Sequence, residues 1–195
     1  MKFFRCCVLA AAIVFPMTLV NATTQAADKF AFDKAHTQIG FSILRLGFSN
    51  ISGWFRKFDG SVMFDPDNVA NSSVKAIIMT SSIDSGFEAR DKHLRSPSFF
   101  NAKEFPEITF VSTKIEKTGA KTGKMTGNLT MLGVTRPVML EVTFNKMGVH
   151  PRNNKTYAGF TAAGMLDRTA FGMKFLAPAV SPKVMIRIDV LAEKK

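Results

Sequence analysis

Cysteine is nearly absent from this sequence, and polar aromatic residues are equally scarce. The chain of 195 residues has two cysteines, Cys6 and Cys7, and none follows them. The remainder of the chain therefore has no disulfide, no thiol nucleophile and no thiolate metal ligand. It has one Trp and one Tyr against 19 Phe. Because phenylalanine has no polar group, this composition favours dry surfaces, either a packed core or the lining of an apolar cavity.

Familiar catalytic and nucleotide-binding motifs are missing as well. The chain has no G-x-S-x-G elbow, no phosphate-binding glycine loop and no G-x-G-x-x-G fingerprint. Its three histidines, His36, His93 and His150, are not paired at metal-ligand spacing. The sequence therefore predicts neither a cofactor nor a metal, and a metal site assembled across strands is the one alternative.

Residues 1–26 have the pattern of a secretory signal peptide. Lys2 and Arg5 precede an uncharged, mostly apolar stretch over 6–20, and small residues stand before Ala26. An uncleaved anchor is the alternative, although the stretch is shorter than the about 20 residues that span a bilayer. We therefore expect export to a bacterial periplasm and a single domain over residues 27–195, a length that suits one core.

The chain is basic, with a net charge of +11. Lys2 and Arg5 are the only charged residues before residue 27, so the exported domain has a charge of +9. Its basic residues are scattered and export separates them from most nucleic acid, so we predict no nucleic-acid partner. A transient contact with anionic lipid headgroups at a membrane surface is one interpretation, and simple solubility is the other.

Beyond residue 28, apolar residues recur at every second position. Val138, Leu140, Val142 and Phe144 form one such series, and the segment 184–190 forms another. This period is typical of antiparallel strands with one dry face. Further strands are predicted at 31–34, 39–43, 54–64, 74–80, 108–115, 125–131 and 158–166. About eight or nine strands without a long helical period favour a closed barrel or a sandwich.

The alternation stops over residues 84–106. Ser85 and Glu88 have the spacing of a capping box, which predicts a short helix that ends near Arg95. Charged residues of both signs are interleaved here, either as ion pairs on a solvated helix face or as a polar rim for a ligand headgroup.

The order of these segments resembles the YceI-like family, which comprises bacterial periplasmic lipid-binding barrels. The matching segments are FDKAHT at 32–37, IGFS at 39–42, LGFS at 46–49, GWF at 53–55, FDG at 58–60, FDP at 64–66, RDKHLRS at 90–96, FF at 99–100, FPEITF at 105–110, GNLTMLGVT at 127–135 and DRTAFG at 167–172. Asn101 and Pro97 depart from the residues that are usual in the family. Both departures bear on the segment that would cover the barrel.

The resemblance implies an all-β fold, an eight-stranded antiparallel lipocalin-like barrel with a short helical excursion near residues 85–100. It implies a long-chain amphiphilic lipid, such as a polyisoprenoid, as the partner. The predicted lining, taken from the dry faces of the strands and from the helical excursion, is Phe41, Ile43, Phe58, Phe64, Ile78, Phe87, Leu94, Phe99, Phe110, Leu129, Met131, Phe160 and Met165. The predicted headgroup contacts are Arg90, His93, Arg95 and Arg168. Arg90 and Arg168 have an alternative role as structural partners of Asp91 and Asp167.

The resemblance thus predicts a protein that binds, transports or sequesters a long isoprenoid-type lipid and is not an enzyme. One alternative is an enzyme that acts on a lipid or a quinone, with His36, His93, Asp91 and Asp167 as its candidate residues. The other is a stress-related accessory protein in which the barrel is only a scaffold. Family members can dimerise, so a homodimer is an alternative to a monomer.

Overall fold

The computed structural model describes residues 27–195, so the predicted signal peptide lies outside the described residues. The strands of the described chain are β1 (Asp28–Phe32), β2 (Gln38–Arg45), β3 (Ser49–Phe55), β4 (Phe58–Phe64), β5 (Ser73–Met79), β6 (Ile83–Asp84), β7 (Glu107–Lys117), β8 (Thr122–Met131), β9 (Val134–Val149), β10 (Thr156–Asp167) and β11 (Val180–Lys194). One α-helix, α1 (Glu88–Leu94), and three short 3-10 turns (Val69–Asn71, Thr80–Ser82, Arg168–Phe171) complete it. No helix within 27–195 has the length and apolar character needed to cross a bilayer.

Eight of these strands close into an antiparallel barrel. They pair in the order β1-β4-β5-β7-β8-β9-β10-β11, and β11 pairs back onto β1. Closure uses the end of β11, where Ala192 lies opposite Phe32. Closing the barrel leaves these eight strands without a free edge, which protects their backbone hydrogen-bonding groups. The all-β, eight-stranded antiparallel barrel that the family resemblance implied is therefore confirmed.

Three further strands, β2, β3 and β6, extend the sheet beyond the barrel at one end. The first part of β11 pairs with β2, β2 pairs with β3, and β3 pairs with β6. The single strand predicted over 54–64 is two strands, because the chain changes partners at this point. Phe55 lies opposite Ile39 of β2, whereas Phe58 lies opposite Ile78 of β5.

Two motif residues hold the bend between β1 and β2. The Thr37 backbone N–H donates to the carbonyl of Asp33. The Thr37 hydroxyl donates to the carbonyl of Leu191 (3.0 Å) and accepts from the Leu191 N–H (3.2 Å). Thr37 is buried, so this exchange ties the bend between β1 and β2 to β11. The Asp-x-x-His-Thr motif of residues 33–37 is therefore structural.

Near the chain's end, β11 carries a cluster of charged hydrogen bonds. Hydrogen bonds from Lys195, Lys155 and Tyr157 to Glu193 lower the pKa of this carboxyl to about 2. The cluster joins β10 to β11, because the Tyr157 hydroxyl donates to Glu193 Oε2 at 3.0 Å. It therefore stabilises the pairing of β10 with β11 most strongly while Glu193 is ionised.

Glycines inside the strands make room for phenylalanine rings. A β-carbon at Gly127 would overlap the ring of Phe110, and one at Gly60 would overlap the ring of Phe32. The rings lie directly against the backbone of the neighbouring strand because a hydrogen replaces the side chain there. Both glycines therefore have a packing role.

The helical excursion contains the predicted helix, but the predicted capping box is wrong. Phe87 occupies the N-cap position and makes no side-chain cap. Buried Asp91 instead accepts hydrogen bonds from both the backbone N–H and the hydroxyl of Ser85. Glu88 pairs with Arg95 at 2.7 Å. A buried carboxylate needs donors more than the helix end needs a cap, so Ser85 is recruited by Asp91.

Candidate functional site

A cavity of about 790 Å³ lies inside the barrel. Each of the eight barrel strands contributes side chains to its wall, and so do β2, α1 and the segment that follows α1. The predicted residues that the structure places in the wall are Phe41, Ile43, Phe64, Ile78, Phe87, Leu94, Phe99, Phe110, Leu129, Met131 and Phe160. Whether they contact a ligand remains a prediction.

Strand alternation explains why this wall is almost entirely apolar. Val138, Leu140, Val142 and Phe144 of β9 all line the cavity. Between them, Met139 and Glu141 lie on the exposed outer face. Inward and outward side chains alternate along every barrel strand, so a period of two in the sequence becomes a dry interior and a wet exterior.

Aromatic rings form a cluster on the wall. Phe64, Phe144 and Phe160 belong to three different strands, and their ring centroids lie 5.1 to 5.6 Å apart. These distances fall in the range at which aromatic pairs attract each other beyond simple burial. The cluster therefore gives one part of the cavity a rigid shape.

Two predicted lining residues lie elsewhere. Met165 is 58% exposed and is outside the wall. It lies an odd number of residues from the inward-facing Phe160, so it points to the opposite face of β10, and the prediction was an error of parity. Phe58 faces inward, but it is buried in the core at the start of β4 and is not part of the wall.

Of the four predicted headgroup residues, Arg90 and His93 line the cavity and Arg95 does not, and contact with a headgroup stays a prediction. Arg90 donates from Nε to the Ser85 hydroxyl (2.6 Å) and from Nη2 to the Ser85 carbonyl (2.7 Å), so part of its fork is occupied. The His93 ring packs edge-on against Phe99, with 5.0 Å between centroids. Arg95 is tied to Glu88.

Arg168 reaches the wall but is a structural residue. It is 2% exposed, and its guanidinium donates to the backbone carbonyls of Met173, Phe175, Val180 and Ser181 at 2.8 to 3.0 Å. Four of its five N–H groups are thus committed. Burial lowers the pKa of this guanidinium from its ordinary value. Arg168 therefore holds the loop 172–179 and the start of β11, and its partners are carbonyls rather than Asp167.

Arg45 is a wall residue that the predicted list omitted. It follows Phe41 and Ile43 at the same spacing of two, so the alternation already indicated that it shares their face. A charged side chain at the end of an apolar series is easily assigned to the turn instead.

The residues of the enzymatic alternative do not meet at one place. His36 bonds to Asp33 at 2.9 Å and is not part of the cavity wall. Asp91 is committed to Ser85, and only His93 of the candidate residues lines the cavity. Asp167 lies outside the cavity wall, and hydrogen bonds from Thr169 lower the pKa of its carboxyl. Among residues 27–195, no three His, Asp or Glu side chains are grouped as metal ligands.

The fold and the cavity together define the class of protein: a small closed antiparallel barrel whose interior has room for one ligand. The YceI-like domain model matches residues 30–192, and the chain belongs to the YceI-like family. Protein YceI of Escherichia coli O157:H7 is 37% identical over 180 residues, which cover 91% of this chain and 93% of that protein.

Two solved structures share the fold. BcnA of Burkholderia cenocepacia superposes with a TM-score of 0.75 at 26% identity, over 82% of this chain and 98% of that one. A polyisoprenoid binding domain of Saccharophagus degradans, implicated in plant cell wall breakdown, superposes with a TM-score of 0.66 over 87% of this chain and 99% of that one. At 10% identity this second likeness concerns the fold alone.

Proposed function

We propose that the protein binds one long apolar lipid of the isoprenoid type inside its barrel and carries or sequesters it. The observation that supports this most strongly is the cavity of about 790 Å³, walled by apolar side chains from all eight barrel strands. Ligand pockets typically measure roughly 300–1,000 Å³. An ordered water needs two to four polar partners, and this wall supplies very few, so an apolar guest suits the cavity better than water.

The energetics favour a long chain over a short one. Burial stabilises a bound chain by about 0.8 kcal/mol per methylene, or about 4 kcal/mol for a five-carbon isoprene unit. Association costs about 4–15 kcal/mol in lost freedom. One unit therefore binds poorly, whereas several units in one cavity bind well. The Saccharophagus degradans domain supports the proposal to the extent that a barrel of the same fold is described as binding a polyisoprenoid.

A series of prenyl alcohols of increasing length tests the lipid assignment. We expect the affinity to rise by up to roughly a thousand-fold per added isoprene unit, the equivalent of about 4 kcal/mol, until the cavity is filled. Saturated alcohols of matched carbon number serve as the control for the isoprenoid preference. An affinity that does not change with chain length would contradict the proposal.

We further propose that the chain is exported and acts in the periplasm. Lys2, Arg5 and the apolar stretch over 6–20 support this, because they match the order of a signal peptide. Expression of the full chain followed by fractionation and intact mass measurement should give a periplasmic protein that begins at Ala27. A cytoplasmic protein with its N-terminus intact would contradict export.

A further inference from the structure

Three segments surround one end of the cavity, and together we call them the rim. They are the β2–β3 turn (44–48), the helical segment 85–95 and the loop 172–179. The Leu46 N–H donates to the Ala179 carbonyl at 2.7 Å, and the rings of His93 and Phe175 lie 5.6 Å apart. Arg45, Phe87 and Leu176 also line the cavity. Because Arg45, Phe87 and Leu176 are exposed as well as part of the cavity wall, the rim is one continuous surface at which this wall meets solvent.

Each rim segment exposes large apolar side chains. Phe48 is 90% exposed and Phe87 is 60% exposed. Leu46, Phe175 and Leu176 are exposed as well. Leu46 and Gly47 have φ angles of +51° and +72°, so the chain turns tightly there and Phe48 stands at the tip. Single exposed apolar residues are ordinary, but a group gathered around a cavity opening marks an interaction surface.

Basic residues accompany these apolar side chains. The rim contains Arg45, Arg90, Lys92, Arg95 and Lys174 against only two carboxylates, Glu88 and Asp91. Glu88 is paired with Arg95, and Asp91 is buried against Ser85. Cations therefore dominate the accessible charge. Apolar residues that project beyond a basic surface suit the boundary of an anionic bilayer, where chains enter the interface and cations meet the headgroups.

We infer that the rim is the surface with which this protein docks onto an anionic lipid bilayer, so that a lipid passes between membrane and cavity without crossing water. The inference rests on the proposed function, because it gives the bound lipid its route of entry. Phe48 and the other apolar tips enter the interface, and Arg45 and Lys174 contact the headgroups. The opening beside Phe87 and Leu176 then faces the bilayer.

Flotation with lipid vesicles tests the docking. Protein purified from cells that express the full chain is mixed with vesicles of phosphatidylethanolamine and phosphatidylglycerol, or of phosphatidylcholine alone, with its N-terminus defined by intact mass. We expect binding to the anionic vesicles that weakens as salt is raised. Phe48→Ser should lower it by about ten- to a hundred-fold, the factor that burial of one large apolar side chain supplies.

Two further variants complete the design. Lys174→Glu should weaken binding to anionic vesicles by roughly five-fold or more and leave binding to phosphatidylcholine unchanged. Val149→Ser is the matched control, because Val149 is 65% exposed at the opposite end of the barrel. It should bind vesicles as the unaltered protein does. If Phe48→Ser also binds like the unaltered protein, the docking inference is wrong.

Lipid transfer separates this inference from the proposed function. Phe48→Ser should take up a polyprenol slowly from vesicles but bind it normally when the polyprenol is added in ethanol. A protein that binds polyprenol from ethanol and never binds vesicles would overturn the docking alone. A protein that binds no polyprenol in either form would overturn the proposed function. Sedimentation as a dimer that Phe48→Ser dissociates would make the rim an interface between two copies, and would also overturn the docking.

Discussion

Filling part of the cavity with a protein side chain should strongly weaken lipid binding, and Ala162→Trp is the substitution that does this most directly. Ala162 is buried in the wall at the middle of β10 and lies opposite Ile188 of β11 and Val142 of β9, which also line the cavity. An indole ring has more heavy atoms than a five-carbon isoprene unit, so it displaces at least one unit. That loss is worth about 4 kcal/mol, which weakens binding by roughly a thousand-fold.

The assay is equilibrium binding of a radiolabelled long-chain polyprenol, accompanied by circular dichroism and thermal unfolding of each variant. Ala163→Trp is the matched control, because Ala163 is the next residue of the same strand, points to the outer face and lies opposite Arg187 and Glu141. Ala162→Leu gives a smaller step in the same direction, with an intermediate loss. Equal polyprenol binding by folded Ala162→Trp and Ala163→Trp would show that the lipid does not occupy the barrel cavity.

Three predictions concern stability. Arg168→Met leaves four backbone carbonyls without their donor and should lower the free energy of unfolding by at least about 3 kcal/mol in urea titration; a loss below about 1 kcal/mol would mean that the loop is held by other contacts. Gly127→Ala should lower the free energy of unfolding by about 1–3 kcal/mol, because the new methyl group overlaps the Phe110 ring. Gly148→Ala is the control and should be tolerated, because the nearest atom to the new methyl group is 3.7 Å away. The pKa of Glu193 is lowered to about 2, so its stabilising contribution is complete above pH about 4.5, the pKa region of an unfolded glutamate, and is lost as the pH falls towards 2. Glu193→Gln should flatten the acid branch of the stability curve in that window, and an unchanged slope would assign the acid sensitivity to other carboxyls.

The barrel wall could be predicted from sequence because it depends on a local rule. Val184, Ile186, Ile188 and Val190 alternate with more polar residues, and all four line the cavity. Met165 was predicted from its apolar character, without regard to its position in the alternation. Adjacent residues of a strand point to opposite faces, so a shift of one position reverses the face. The error was avoidable from the sequence alone.

Other features depend on contacts between distant residues, which no local pattern records. Ser85 satisfied the spacing rule for a cap, yet the buried carboxylate of Asp91 takes its hydroxyl. Arg168 was predicted as a headgroup contact, but the loop 172–179 and the first two residues of β11 place four backbone carbonyls around its guanidinium. Similarly, the segment 54–64 is continuous in pattern but divides where its pairing partner changes from β2 to β5.

The rim was missed for the same reason. Phe48 and Leu176 are far apart in the sequence, and neither belongs to an alternating series. Each looks like an isolated apolar residue in a turn. Their common feature, a position around the opening of one cavity, appears only when the β2–β3 turn meets the loop before β11 at the bond between Leu46 and Ala179.

Native mass spectrometry of the protein, purified without detergent from the cells that produce it, is the most direct test of lipid binding. We expect a stoichiometric additional mass that organic extraction releases as an isoprenoid or a related long-chain lipid. Ala162→Trp, prepared in parallel, should show the mass of the bare protein. A bare mass for the unaltered protein, together with failure to rebind added polyprenol, would contradict lipid binding as the function of this barrel.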